Sequence, residues 1–338
     1  MTATTAFSAA ADWTRRHVDA GRLPVAVLAI ADTNGVVDVA AFGTDPVTGR
    51  TAHVDDRFAL YSVTKPLVAL TAMRAVERGL LTTETTLKDA LPGFVSPEVT
   101  LAHLTSHTSG VADLVLDGGA APLSHGRATT VREAIERAPL EFVPGTARRY
   151  ANLTWEGVAA LIEHATGRTF EQEFADLAAS VGAEGLSFDT DDVHHIHGGE
   201  RYGHDPAALF ALRHPAAGAA ARAADLLAIG QSLLTGDDRV VHRITLEAML
   251  RPRTSGLTVI DADRTRHPEH FGIGFNLPHR PSLLDHSTFG HEGWCRSQLW
   301  VSRQSGRCVV LLTNRLDTAE PDVGVRIDEL LNAAFTGR

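Results

Sequence analysis

Tyr61-Ser62-Val63-Thr64-Lys65-Pro66, followed by Leu67, Val68, Leu70 and Met73 on an apolar helical stripe, sets a serine and a lysine three positions apart. On a helix, positions i and i+3 share a face, so hydroxyl and amine can meet without help from elsewhere in the chain. That is the relation a nucleophile and its base require. Pro66 is tolerated in the first helical turn, where its missing N–H has no partner to lose. A helix N-terminus also favours a serine alkoxide and a developing oxyanion. Lys65 and Lys88 are the only lysines in the chain, arginine supplying every other fixed basic side chain. Arginine stays protonated and cannot act as a base, whereas a buried lysine shifts its pKa readily. Ser-x-x-Lys alone arises often by chance, so its meaning depends on its company.

That company begins at Pro144-Gly145-Thr146-Ala147-Arg148-Arg149-Tyr150-Ala151-Asn152. Here a turn leads into Tyr150 and Asn152, which point the same way if the backbone is extended. Tyr150 could relay a proton and Asn152 could donate an amide hydrogen bond to substrate. The structural alternative is a buried tyrosine and a helix-capping asparagine. Residues 155–164 read as a helix ended by Gly167. A third group, Gly290-His291-Glu292-Gly293-Trp294, falls on an expected strand edge, where glycine lets a substrate backbone approach. His291 either binds a substrate carboxylate or moves a proton, or is simply structural.

Farther out, residues 5–21 have helical spacing. Residues 25–31 and 36–42 are β-rich runs separated by Asp32-Thr33-Asn34-Gly35, a hairpin signal. Residues 271–277, 287–290, 297–303 and 308–314 read as strands, and 322–335 as a final helix. Between them lies a segment rich in Ala, Leu and Glu at helical spacing. Within it, 189–215 reads as a loop, and the alanine run 216–224 leads into a helix through Leu234. The expected class is α+β: an antiparallel sheet from both chain ends (1–57 and 257–338), flanked by the terminal helices, with a helical insertion (58–256) beside it and the site in the cleft between.

The chain has 338 residues, 44% hydrophobic and 21% charged, as an ordinary folded protein does. A formal net charge of -10 opposes attraction to nucleic acid or anionic lipid. No apolar run reaches the ~18 residues of a membrane span. The first 22 residues carry Asp12 and Arg15 where a secretory signal needs an unbroken apolar stretch, so a cytoplasmic protein is expected. Two cysteines, Cys295 and Cys308, make no disulfide framework.

In order and spacing, the three groups resemble the S-x-x-K, Y-x-N and K-T-G-like motifs of the serine β-lactamase and penicillin-binding superfamily. Within it, the chain is most similar to class C β-lactamases, D,D-peptidases with histidine in the third motif, and family VIII-type esterases. Residues Leu104-Thr105-Ser106-His107-Thr108-Ser109-Gly110 belong to the same likeness, which covers nearly the whole chain. The resemblance implies that Ser62 attacks, Lys65 and Tyr150 exchange the proton, and Asn152 orients substrate. His291 replaces the K-T-G lysine, and Gly293 brings substrate close. The backbone N–H groups of Ser62 and Trp294 would form the oxyanion hole. Glu292 replaces the usual small hydroxyl residue, which argues against recognition of a carboxylate-bearing β-lactam.

The expected activity is acyl transfer from a small-molecule ester or amide through an acyl-Ser62, to water or a second acceptor, without cofactor or metal. The alternatives are a β-lactamase or D,D-peptidase, and a catalytically silent binding or sensor domain. Competing clusters are weaker. His194, His195 and His197, near Asp191, Asp192 and His204, follow no defensible metal-ligand spacing. Cys295 has no neighbouring base and reads as an inert thiol, and His103 and His107 read as local structural residues. The acyl group, the acceptor and the oligomeric state stay open.

Overall fold

Strands apolar at successive positions need cover on both faces, and residues 26–32 and 307–313 are such strands. The computed structural model describes residues 3–113, 130–261, 270–278, 286–320 and 322–336. Among these, the strands are β1 (Ala26–Asp32), β2 (Gly35–Phe42), β3 (Phe58–Ala59), β4 (Ala147–Arg148), β5 (Ala220–Ala221), β6 (Thr258–Val259), β7 (His270–Phe271), β8 (Asn276–Leu277), β9 (Thr288–Glu292), β10 (Gln298–Ser302) and β11 (Arg307–Thr313). Seven of them form one antiparallel sheet in the order β2-β1-β11-β10-β9-β8-β7. β1 lies against β11 with Ala26 opposite Thr313 and Asp32 opposite Arg307, so strands from near the two chain ends meet inside the sheet, one strand in from its β2 edge.

The period of two along these strands sorts the core. Ala26, Leu28 and Ile30, with Val309 and Leu311, pack with Phe7, Trp13, Leu330, Leu331 and Phe335 of the helices Ala3–Asp19 and Ile327–Thr336. The alternate positions Val27, Ala29, Val310 and Leu312 share the other core cluster with Leu226, Leu227 and Leu233 of the helix Ala223–Thr235. The α+β class and the flanking terminal helices are as expected from sequence. No helix among the described residues is long and apolar enough to cross a membrane.

Several local expectations are corrected. Residues 271–277 are the hairpin β7–β8 rather than one strand, because Gly274 (φ 76°) turns the chain. The Gly274 N–H donates to Thr105 O at 3.0 Å, and a Cβ at this position would lie 2.2 Å from Ala69 Cβ. The alanine run 216–224 leads into a helix as expected, but most of the run lies before it. It supplies β5, paired with β3, and helix starts at Ala223, where Arg222 and Asp225 form the cap. The 189–215 segment contains two short helices, Glu200–Tyr202 and Pro206–Ala211, the second capped by Asp205. The final helix begins at Ile327, after Gly324 (φ 63°).

The helix Thr64–Glu77 differs most from its expected form. Its sequence suggests one apolar stripe, yet every residue from Val63 through Met73 is buried, Lys65 included. A helix enclosed on all sides sits inside the core rather than on its surface.

Candidate active site

Ser62 lies in the single 3₁₀ turn Tyr61–Val63, which runs directly into the helix Thr64–Glu77. Tyr61 adopts φ 47°, a left-handed conformation that costs a bulky residue about 1–3 kcal/mol. Burial holds it there, together with a hydrogen bond between its hydroxyl and His204 Nε2 at 3.1 Å. Ser62 keeps partial exposure at the head of the helix.

Below it, Lys65 is completely buried, with Nζ 2.9 Å from Ser62 Oγ, 2.8 Å from Asn152 Oδ1 and 3.1 Å from Ala216 O. Burial lowers its pKa from 10.5 to about 7, against the opposing pull of Asp113. A neutral amine has two N–H bonds and one lone pair. With Asn152 and Ala216 as acceptors for the N–H groups, the lone pair faces the Ser62 hydroxyl. Tyr150 reaches the same oxygen from the other side, its OH 2.9 Å from Ser62 Oγ, and its ring lies 4.8 Å from Lys65 Nζ. Ser62, Lys65, Tyr150 and Asn152 are therefore brought together. Beside the role toward substrate expected of it, Asn152 has two partners within the protein: its oxygen accepts from Lys65 at 2.8 Å and its Nδ2 donates to Asp113 at 3.2 Å.

Behind these side chains, the main chain is fixed amide by amide. Arg149 N donates to His107 O, Tyr150 N to Asp261 Oδ1, Ala151 N to His107 Nδ1, Asn152 N to Asp113 Oδ2 and Leu153 N to Asp113 Oδ1, all between 2.7 and 3.2 Å. Buried backbone donors need such partners, and here they come from three residues remote in sequence. The ring of His107 also stacks on Tyr150 at 4.3 Å, and φ of 61° turns the chain at that residue. His107 therefore supports the tyrosine and is more than a local structural residue. Asp113 and Asp261 were not singled out from sequence. A signal existed for Asp113, three residues beyond the Leu104–Gly110 motif, but none for Asp261.

The β9 side closes the other flank. His291 is buried and its ring lies 6.4 Å from that of Tyr150. Its Nδ1 sits 2.7 Å from Glu292 O, a contact that assigns the proton to Nδ1. The expected open strand edge is corrected. A Cβ on Gly290 would meet Leu299 O of β10 at 2.1 Å, so that glycine serves the neighbouring strand. A Cβ on Gly293 would meet Leu60 O at 2.3 Å, so Gly293 lets the turn after β9 touch the segment carrying Ser62. Glu292 does not present a bare carboxylate either. Arg296 Nη1 lies 3.0 Å from both its oxygens, and Gln298 Nε2 is 3.4 Å away. Beside the site, the Trp294 ring packs with Tyr61 (6.2 Å), Tyr202 (5.2 Å) and His204 (5.0 Å).

The histidine-rich segment is tied elsewhere. His194 Nε2 meets Asp56 Oδ2 at 2.9 Å and His197 Nε2 meets Asp45 Oδ2 at 2.8 Å. Among the described residues, no three His, Cys, Asp or Glu side chains converge as a metal site. His103 caps the short helix Leu101–Thr105. Cys295 and Cys308 are buried and unbridged, and burial raises both thiols above their ordinary pKa.

A sheet closed by both chain ends, with a buried lysine and a tyrosine converging on a serine at a helix start, is the serine β-lactamase-like arrangement that the sequence resembles. The chain belongs to the Beta-lactamase family, which it matches over residues 10–333. It is similar to Esterase EstB of Burkholderia gladioli, 36% identical over 157 residues, which are 41% of this chain and 38% of that protein. It is also similar to Penicillin-binding protein 4 of Amycolatopsis lactamdurans, 29% identical over 48% of this chain and 42% of that protein. These matches span well under two thirds of either relative. Among solved structures, EstCE1, described as a hydrolase with promiscuous acyltransferase activity, superposes with a TM-score of 0.82 at 22% identity. That match covers 98% of this chain and 99% of EstCE1.

Proposed function

We propose that this chain is a serine hydrolase or acyltransferase that works through a covalent acyl-Ser62. The observation that carries the reading is Lys65, buried, near neutrality and 2.9 Å from Ser62 Oγ. Its lone pair takes the hydroxyl proton as Ser62 Oγ bonds to the carbonyl carbon of an ester or amide. The charge then moves to the carbonyl oxygen, where the N–H groups of Ser62 and Trp294 receive it. Collapse breaks the bond to the leaving group, and Tyr150, re-protonated by Lys65, supplies that group's proton. Water or an acceptor alcohol then enters by the reverse proton path and releases the acyl group. In this reading residues 1–57 and 257–338 form one lobe and 58–256 the other, with substrate between them against Asn152, His291 and Gly293. Cytoplasmic action belongs to the same proposal, and two buried, unbridged cysteines suit a reducing compartment.

Esters fit better than β-lactams. A K-T-G lysine would offer a fixed ammonium to a substrate carboxylate, whereas His291 uses Nδ1–H on Glu292 O and the charge of Arg296 is met by Glu292. Acyl groups without a carboxylate are therefore preferred, and similarity to the esterase EstB and to EstCE1, a hydrolase with promiscuous acyltransferase activity, supports this. A fluorophosphonate probe tests the mechanism: peptide mapping is expected to find the label on Ser62. A label on Cys295, or none on Ser62 in folded protein, would overturn the assignment. Steady-state kinetics test the substrate class, with kcat/KM expected to be higher for a short-chain activated ester than for a chromogenic cephalosporin.

A further inference from the structure

Residues Leu104–Gly110 carry a motif whose chemistry the sequence leaves unassigned, and Asp113, three residues beyond it, stands directly behind Asn152. Asp113 is 6% exposed. Its Oδ2 accepts from Asn152 N at 2.9 Å and Asn152 Nδ2 at 3.2 Å, and its Oδ1 accepts from Leu153 N at 3.0 Å. A carboxamide has an accepting end and a donating end of nearly the same shape, so its orientation is set by its partners. An ionised carboxylate only accepts. Asn152 Nδ2 must therefore face Asp113, and Oδ1 must face the other way, where Lys65 Nζ lies 2.8 Å off. Turned over, the amide would present a donor to the amine and an acceptor to the carboxylate, losing both contacts.

We propose that Asp113 is a positioning residue for acylation of Ser62: it fixes the Asn152 amide so that its oxygen holds the Lys65 amine on the Ser62 hydroxyl. The inference rests on the acyl-Ser62 reading above and extends it to a residue that acts through two others. It also gives the Leu104–Gly110 motif a purpose, since this one segment brings His107 under Tyr150 and Asp113 behind Asn152.

Among the described residues, the titratable groups facing Lys65 are Asp113, Tyr150 and His214. His214 is held neutral, its pKa pushed down to about 3 by burial and then by Lys65 itself. Asp113 is the anion of the set, and it favours the protonated amine. Loss of its charge therefore lets Lys65 deprotonate at lower pH.

The experiment compares the unmodified protein, Asp113→Asn, Asn152→Ala and the double variant with an activated ester and a fluorophosphonate. Asp113→Asn is expected to lower kcat roughly a hundredfold, the scale of a small misplacement at a reacting centre, with KM little changed. The acid limb of its pH profile moves to lower pH. On the Asn152→Ala background the same substitution changes kcat less than about threefold, because the group it acts through is gone. Losses that multiply across the double variant, or an acid limb that stays in place, would overturn the proposal. Should Asp113→Asn not fold, Asp113→Ser, which keeps an accepting oxygen without the charge, is read in the same cycle. Failure to label Ser62 in the unmodified protein would overturn the underlying reading instead, so the two failures are told apart.

Discussion

Replacing Lys65 with methionine, similar in length and uncharged, is expected to abolish acylation and to change how stability depends on pH. The buried amine has its pKa lowered from 10.5 to about 7, by burial first, while Asp113 acts in the opposite direction. In the unfolded chain the amine returns to about 10.4. Below about pH 7 both states hold the proton and the full cost of the buried ammonium is present, about 5 kcal/mol. Above that, the unfolded state binds the extra proton, so stability rises with pH and the cost disappears as the unfolded pKa is approached. The methionine variant has no such dependence. From about pH 6 to about pH 9 the unmodified protein should therefore gain about 3 kcal/mol relative to Lys65→Met. The variant also strands Asn152 Oδ1 and Ala216 O, at about 1–3 kcal/mol each, but that penalty does not vary with pH. Urea unfolding followed by circular dichroism at the two pH values isolates the varying part. A difference that is constant with pH, or that moves in favour of the variant as pH rises, would refute the buried, near-neutral amine.

The same amine sets the rate. Below about pH 7 the kcat/KM of the unmodified protein for an ester should fall about tenfold per pH unit, as the neutral fraction does, and a pH–rate profile checks it. Gly293→Ala would drive a methyl group to 2.3 Å from Leu60 O; fluorophosphonate labelling of Ser62 is expected to slow about a hundredfold in protein that still unfolds cooperatively. Glu292→Thr leaves the Arg296 guanidinium without its carboxylate beside the site. The ratio of kcat/KM for a carboxylate-bearing substrate to that for a neutral ester should then rise, by competition kinetics, about tenfold or less.

What the sequence made legible is what depends on neighbours in the chain. The continuous apolar runs within residues 26–32 and 307–313 foretell strands buried on both faces, and the spacing of Ser62 and Lys65 foretells their contact, because both follow from backbone geometry. Tyr150 and Asn152 could be placed near Ser62 only through the resemblance. Asp113 and Asp261, and the link from His107 to Tyr150, stayed hidden because the bonds of these residues to 149–153 join segments 39, 111 and 44 positions apart. The hairpin within 270–277 was missed because Gly274 turns a run that is apolar on either side. The Arg296 partner of Glu292 was not legible although it lies four residues on, since the i, i+4 relation here spans a turn between strands and not a helix.

The pairing of β1 with β11 also governs the order in which this protein can form. During synthesis β1 emerges early, apolar on both faces, and finds only β2 until residues 307–313 leave the ribosome. Contacts of such sequence separation are slow to make. The helices around Lys65 have most of their partners nearer in sequence and can assemble first. Until the last strand arrives, the edge of β1 stays open to any other chain with a free strand. Recovery of active protein from cells should therefore depend on what shelters that first hairpin while the rest of the chain is being made.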